Sequence, residues 1–351
     1  MTYLIIWKSM KRKSSTNYIV VYLDNPNRIT HAEEKELGSW KGKTMNPLFR
    51  IILKLLSSPK IDMQKDYVWV RRMQQIFSGK PKKGYRILDK KIYSKDQTHD
   101  IPVRIFYPKE PLNDDVLVFF HGGGWVIGDI DTYTTACINM ADLTGRVVYS
   151  VDYRLAPEYP YPSGLEDCYR VAETLMTHLE LSGMMEASQI TLIGDSAGGN
   201  LAAAVSLMLR DKGKIVPTKQ ILLYPVTYWN HTESSPFESI RTNGYKYGLT
   251  AKKVQEYMEM YEPNLAERKN SYVAPLMTKD LTHQPKTLVI TAEFDPLRDE
   301  GEMYGIALRE AGNEVVIQRI GGAVHGFITY PRFAESMTAT YEAINIFLNE
   351  D

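Results

Sequence analysis

Past residue 100 the chain alternates between two apolar textures. Residues 101–107 alternate apolar with polar and end at Pro108, the pattern of a strand near a sheet edge. Val116–Phe120 and Val147–Val151 are continuous apolar runs, and so are 190–193, 221–224, 287–291 and 315–317. Short unbroken runs of this kind suit strands buried on both faces of a mainly parallel sheet. Between them, 132–143, 164–178, 199–212, 299–311 and 332–349 carry helical spacing. Strand and helix therefore take turns, as they do in α/β domains.

The N-terminal part reads differently. Phe49, Ile52, Leu53 and Leu56 fall on one helical face within 47–56, and Trp69, Met73, Ile76 and Phe77 do so within 66–77. Their apolar faces either bury against the main domain or line a substrate pocket, and the pattern allows both. Residues 1–40 have a mixed pattern and read as an extension of unclear order. Residues 41–84 then hold these helices, and 85–351 the α/β domain. The stretch 226–271 is longer than a crossover needs and holds a further helix at 252–261. It reads as a cap insertion above the C-terminal ends of the strands.

Charge narrows the partners. Lys+Arg and Asp+Glu both number 42, so the balance of zero gives no reason to expect nucleic acid or an anionic membrane surface. Cys137 and Cys168 are the only cysteines, too few for a disulfide framework in 351 residues, and they read as reduced thiols. No Cys-x-x-Cys or His-Glu-x-x-His spacing occurs, so neither metal nor cofactor is expected. The apolar residues 3–7 precede the basic Lys8, Lys11, Arg12 and Lys13, the reverse of a secretory signal. No apolar stretch reaches the ~18 residues of a membrane span. A cytoplasmic enzyme without stable membrane insertion is expected, and a homo-oligomer is left open.

Two glycine-rich motifs carry the chemistry. Gly194-Asp-Ser-Ala-Gly198 lies between the run 190–193 and the small-residue helix 199–212. That is the setting of a nucleophile elbow, a turn too tight for large side chains, which lifts the hydroxyl of Ser196 above the sheet. The helix dipole at that point favours developing negative charge. His121-Gly-Gly-Gly124 follows the run Val116–Phe120. Its glycines let the backbone approach a ligand, so its N–H groups can donate to an oxyanion together with that of Ala197. His121 is read as bracing this loop.

These motifs, together with Asp152-Tyr-Arg-Leu-Ala-Pro-Glu158, Asp295-Pro-Leu-Arg-Asp299 and His325-Gly-Phe327, resemble the hormone-sensitive-lipase-like carboxylesterases of the α/β-hydrolase fold. The likeness covers about 85–351 well and the cap loosely. It implies a central, mostly parallel eight-stranded sheet flanked by helices, with a helical cap. It also implies an oxyanion hole formed by Gly123, Gly124 and Ala197, and a structural loop around Arg154, Pro157 and Glu158 braced by Asp167.

In this fold the triad runs serine, acid, histidine along the chain. Asp295 follows the run 287–291, and His325 follows 315–317. His325 would then be the base and Asp295 its partner. Glu293 alternates with Asp295 and competes for that role. Asp299 and Glu300 fit the first turn of the next helix, where carboxylates favour the dipole. His31, His99, His178, His231 and His283 read as surface or loop residues. Trp125, Tyr228 and Trp229 either border the substrate pocket or pack as ordinary aromatics.

The expected function is a serine carboxylesterase that takes small-molecule esters with short to medium acyl chains. An amidase or deacetylase would need the same groups. A receptor on a hydrolase scaffold would have less need of Ser196, Asp295 and His325, all of which are present.

Overall fold

The structure is a computed structural model that describes residues 18–20, 61–78, 84–179, 186–331 and 334–350. The expected helix at 47–56 lies outside them, as does the 1–40 stretch apart from 18–20. The order along the chain is β1 (Tyr18–Val20), α1 (Met63–Phe77), β2 (Ile87–Tyr93), β3 (Asp100–Phe106), β4 (Val116–Phe120), α2 (Thr134–Thr144) and β5 (Val147–Val151). Then come α3 (Ser163–Thr177), β6 (Ile190–Asp195), α4 (Ala197–Asp211), β7 (Lys219–Leu223), α5 (Glu238–Asn243) and α6 (Ala251–Tyr261). The chain ends with β8 (Lys286–Phe294), α7 (Arg298–Glu310), β9 (Val315–Val324) and α8 (Glu335–Asn349).

One sheet orders the strands β1-β9-β8-β7-β6-β4-β5-β3-β2. From β5 to β9 all neighbours are parallel, and β2, β3 and β1 join antiparallel at the two edges. The eight-stranded sheet is thus lengthened by β1, three residues laid along β9. The edge strand β2 has no continuous apolar run: Asp89, Lys90 and Lys91 split its apolar residues, and four of its seven residues in succession are solvent-exposed.

All five residues of β4 are buried, as continuous apolar runs in a two-sided sheet should be. On one face, β4's Val118 belongs to one continuous core with α3's Leu175, α4's Leu201 and α7's Leu308. On the other, Phe119 shares a second core with α2's Met140 and α8's Phe347. Helix α4 opens with Ala197-Gly-Gly-Asn-Leu-Ala-Ala-Ala204, every residue buried. Small side chains let it lie close to the strands.

Residues between β7 and β8 carry α5 and α6, and α1 packs on α6. Met63 N donates to Glu256 Oε2 at 3.1 Å, and Gln64 Nε2 to Glu259 Oε2 at 2.8 Å. Met63, Tyr67 and Val70 of α1 join Val126, Ile127, Tyr257 and Met260 in a separate small core. Trp69 and Ile76, expected on the apolar face, are 58% and 63% exposed. The helix has turned the neighbouring face inward, and polar anchors that hydropathy cannot register select it. No helix among the described residues is long and apolar enough to cross a membrane.

Candidate active site

Strands β4 and β6 pair in parallel register, with Phe120 opposite Gly194. The loops that leave their C-terminal ends are therefore neighbours, at the kind of crevice where open α/β sheets bind ligands. One is the glycine loop; the other is the turn at Ser196.

Ser196 is the N-cap of α4, with φ +56° and ψ −119°. A non-glycine residue held there stores about 1–3 kcal/mol of strain. The turn is over-determined by its surroundings. Ser196 N donates to Leu223 O at 2.8 Å, and Val226 N donates to Ser196 O at 3.3 Å. A Cβ at Gly194 would strike the Gly198 carbonyl, and one at Gly198 would strike the Phe120 carbonyl. Both positions therefore require glycine for space.

His325 directly follows β9, and Asp295 directly follows β8. His325 Nε2 lies 2.8 Å from Ser196 Oγ, and its Nδ1 lies 2.7 Å from Asp295 Oδ2. The Asp295 side chain is fully buried and that of His325 is 12% exposed. Asp295 Oδ1 accepts from Leu297 N at 2.9 Å, and Asn243 Nδ2 donates to Asp295 O at 3.1 Å and Glu293 O at 3.2 Å. The rings of Tyr224 and His325 meet edge to face, with centroids 4.8 Å apart. Glu293 is turned elsewhere: its carboxylate accepts from Gly322 N at 2.6 Å.

The glycine loop runs through three left-handed residues, with φ +113° at Gly123, +61° at Gly124 and +59° at Trp125. Among the described residues, no acceptor engages the amides of Gly123, Gly124 or Ala197. Gly122 N donates to Asp195 Oδ1 at 2.7 Å, while Asp195 Oδ2 accepts from Tyr133 at 3.1 Å and from Tyr224 at 3.4 Å. Burial pushes the Asp195 carboxyl up to about 6. His121 lies beneath the loop, stacked on Tyr153 with centroids 4.4 Å apart, and its Nδ1 donates to Gly122 O at 2.8 Å. Burial lowers its pKa to about 4, so it is a neutral brace at ordinary pH.

The expected aromatic trio separates. Trp125 is 1% exposed and stacks flat on Tyr261, with centroids 4.3 Å apart. It packs as core. Tyr228 and Trp229 are half-buried on the segment that leaves β7. Arg154 makes a two-pronged ion pair with the buried Asp167, both contacts at 2.9 Å, so Asp167 does brace that loop.

Two of the loop histidines are less exposed than a surface position implies. His99 is half-buried, its Nε2 2.9 Å from Asp167 Oδ1. His231 is buried, with Nε2 3.0 Å from Glu300 Oε2. Glu300 also accepts from Thr227 N at 2.8 Å and Tyr228 N at 3.2 Å. No local sequence signal marks His231, because its partner lies on a helix 69 residues away. Asn243 is equally silent in sequence, being one amide in a polar stretch.

A hydroxyl, an imidazole and a buried carboxylate in hydrogen-bonded series can generate a nucleophile. Three unengaged amides nearby can receive a developing oxyanion. The sequence pattern of a family described as alpha/beta hydrolase fold matches residues 117–329. An arylesterase of Saccharolobus solfataricus is 34% identical over 259 residues, 73% of this chain and 81% of its own. An ethyl acetate hydrolase of Pseudomonas putida is 31% identical over 257 residues, 72% and 79% of the two chains. The solved structure of a hyperthermophilic esterase from the archaeon Pyrobaculum calidifontis superposes with a TM-score of 0.77 at 32% identity, covering 87% of this chain and 97% of that one.

Proposed function

The chain belongs to the hormone-sensitive-lipase-like carboxylesterases of the α/β-hydrolase fold and is a carboxylic ester hydrolase, and from that premise we propose that it works through an acyl-enzyme on Ser196. His325 Nε2 takes the Oγ proton as the oxygen attacks the ester carbonyl. Negative charge gathers on the former carbonyl oxygen, where the amides of Gly123, Gly124 and Ala197 donate to it. Asp295 keeps the His325 Nδ1–H oriented and stabilises the imidazolium. His325 then hands its proton to the leaving alcohol. A water activated by the same imidazole releases the acid and restores Ser196. The steps use side chains and backbone of this chain together with water.

The observation that carries this reading is the pair of contacts on one imidazole, 2.8 Å to Ser196 Oγ and 2.7 Å to Asp295 Oδ2. Labelling with a fluorophosphonate followed by peptide mass spectrometry tests it. The adduct is expected on the peptide containing Ser196, and a label elsewhere would sink the assignment.

The substrates we propose are esters of short to medium acyl chains. Residues 85–351 are read as the catalytic domain, with 41–84 and the insertion at 226–271 roofing the site and 1–40 as an extension. Tyr257 of α6 rests on Gly124, whose Cβ position its ring would occupy. Tyr228 and Trp229 would border the space beneath that roof. Each methylene that enters an apolar pocket contributes about 0.8 kcal/mol, and the gain stops where the roof does. A series of p-nitrophenyl esters should show kcat/KM rising and then falling with acyl length. A continued climb to long chains, with a jump once the substrate forms an interface, would contradict it.

A further inference from the structure

One side chain outside the catalytic domain touches both loops that frame the glycine motif. Arg71 of α1 donates through Nε to Val126 O at 2.6 Å and through Nη2 to Ala156 O at 2.8 Å. Its two terminal nitrogens also grip Glu158, at 2.8 Å to Oε1 and 3.0 Å to Oε2. The two loops are already joined, since Ala156 N donates to Trp125 O at 2.9 Å. Arg71 therefore closes a ring around Trp125, a bulky residue held at φ +59° immediately after Gly123 and Gly124.

Two carbonyls directed at one point repel each other unless a donor stands between them. A planar guanidinium with five N–H groups in a fixed fork can serve both and still hold a carboxylate by two bonds. An ammonium, with its compact charge and flexible stem, cannot reproduce that fork. Without the guanidinium, Val126 O loses its partner. The strained turn at Trp125 is then free to relax toward negative φ, which rotates the peptide planes that aim the Gly123 and Gly124 amides.

We propose that Arg71 is a positioning residue of the oxyanion hole, acting from the N-terminal helix through Val126 and the Ala156–Glu158 loop. This rests on the oxyanion role proposed above for Gly123 and Gly124. Its contacts are separate from the triad: Asp295 and His325 are held from β8, β9 and α5, where among the described residues Arg71 has no hydrogen bond. Losing Arg71 should therefore blunt transition-state stabilisation without altering proton transfer.

The test compares the full-length wild type with Arg71→Lys, Arg71→Ala and Glu158→Gln on p-nitrophenyl acetate, with the exposed neighbour Arg72→Ala as control. Arg71→Lys and Arg71→Ala should lower kcat by about ten- to a hundredfold, the scale of a small misplacement at a reacting centre. KM should stay within about threefold, since the loss falls on the transition state. The pH profile should keep the inflection of the wild type. Guanidinium at low millimolar concentration should restore part of the kcat of Arg71→Ala, and sodium chloride at equal strength should not. Folded Arg71→Lys that turns over like wild type, or a loss confined to KM, overturns the proposal. If Arg71→Ala does not fold, Arg71→Lys and Glu158→Gln decide by the same kcat criterion. Fluorophosphonate labelling of the wild type at Ser196 is read separately, so a failure of the mechanism is not mistaken for a failure of Arg71.

Discussion

Asp195 Oδ1 accepts the amide hydrogen of Gly122 at 2.7 Å, so the residue beside the proposed nucleophile also anchors the first glycine of the glycine loop. The carboxylate is 1% exposed, and its other oxygen takes hydroxyls from Tyr133 and Tyr224. One side chain thereby sets the spacing between two loops that arrive from different strands.

That anchor predicts a pH signature in stability. Burial raises the Asp195 carboxyl from 3.8 to about 6. Between those values the unfolded chain has released a proton that the folded chain keeps, so this group's contribution to stability falls as pH rises through the window. His121 acts oppositely. Burial takes it from 6.5 to about 4, so its contribution is lost as pH falls through that range. Asp195→Asn removes the first effect and leaves the second. Relative to wild type, the variant should lose up to about 3 kcal/mol more on acidification from pH 7 to pH 4. Urea unfolding of both proteins at the two pH values measures the difference, and a constant offset would contradict the assignment.

Ser196→Ala should lower kcat by about four to six orders of magnitude while the protein stays folded. The neighbouring contacts of the elbow are backbone to backbone, so they survive loss of the hydroxyl. Circular dichroism alongside ester turnover checks both halves. A variant that keeps a tenth of the wild-type rate would remove Ser196 from the nucleophile role.

Two acids on one strand end should respond very differently. Asp295→Asn is expected to cost about 10⁴ in kcat, because the amide presents a donor where the His325 Nδ1–H needs an acceptor. Glu293 contacts the Gly322 amide instead, so Glu293→Gln keeps an acceptor there and should cost less than about tenfold. Steady-state kinetics on a single ester settles the comparison. The reverse ranking would reassign the acid.

Gly124→Ala should impair turnover more than stability. The new methyl meets the Tyr257 ring, and φ +61° disfavours any side chain there. The double variant Gly124→Ala/Tyr257→Ala opens the space without relieving the backbone. Partial recovery of kcat in the double variant would show that the clash accounts for part of the loss; no recovery would place the whole loss in the backbone.

Glu300 and His231 test the support under the segment that leaves β7. Glu300→Ala strips the acceptor from Thr227 N and Tyr228 N and leaves a buried imidazole unpaired. Removal of one partner from a buried pair typically costs about 3–5 kcal/mol. Denaturant unfolding reads this, and a change under about 1 kcal/mol would mean that the pair contributes little.

The sequence by itself determined the strands that make up the middle of the sheet and both turns of the site. Continuous apolar runs such as Val116–Phe120 must be buried on both faces, and Gly194 and Gly198 are demanded by space within a five-residue turn. The order Ser196, Asp295, His325 was equally legible, since each follows a recognisable strand. Three features were decided by tertiary structure alone. Helix α1 shows Trp69 and Ile76 to solvent because Arg71 and Gln64 find partners on its other side. Strand β2 hides its identity because at the sheet edge it is wet on both faces over residues 88–91 and has no apolar run to display. His231 became a core residue because Glu300 is brought under it. The physical reason is common to all three. Hydrophobic period and turn chemistry act over a few residues and are written locally. A polar side chain's value depends on a partner that may be 55 residues away, as Val126 is from Arg71, or 129, as Ser196 is from His325. Only the packed sheet brings those partners within hydrogen-bonding distance.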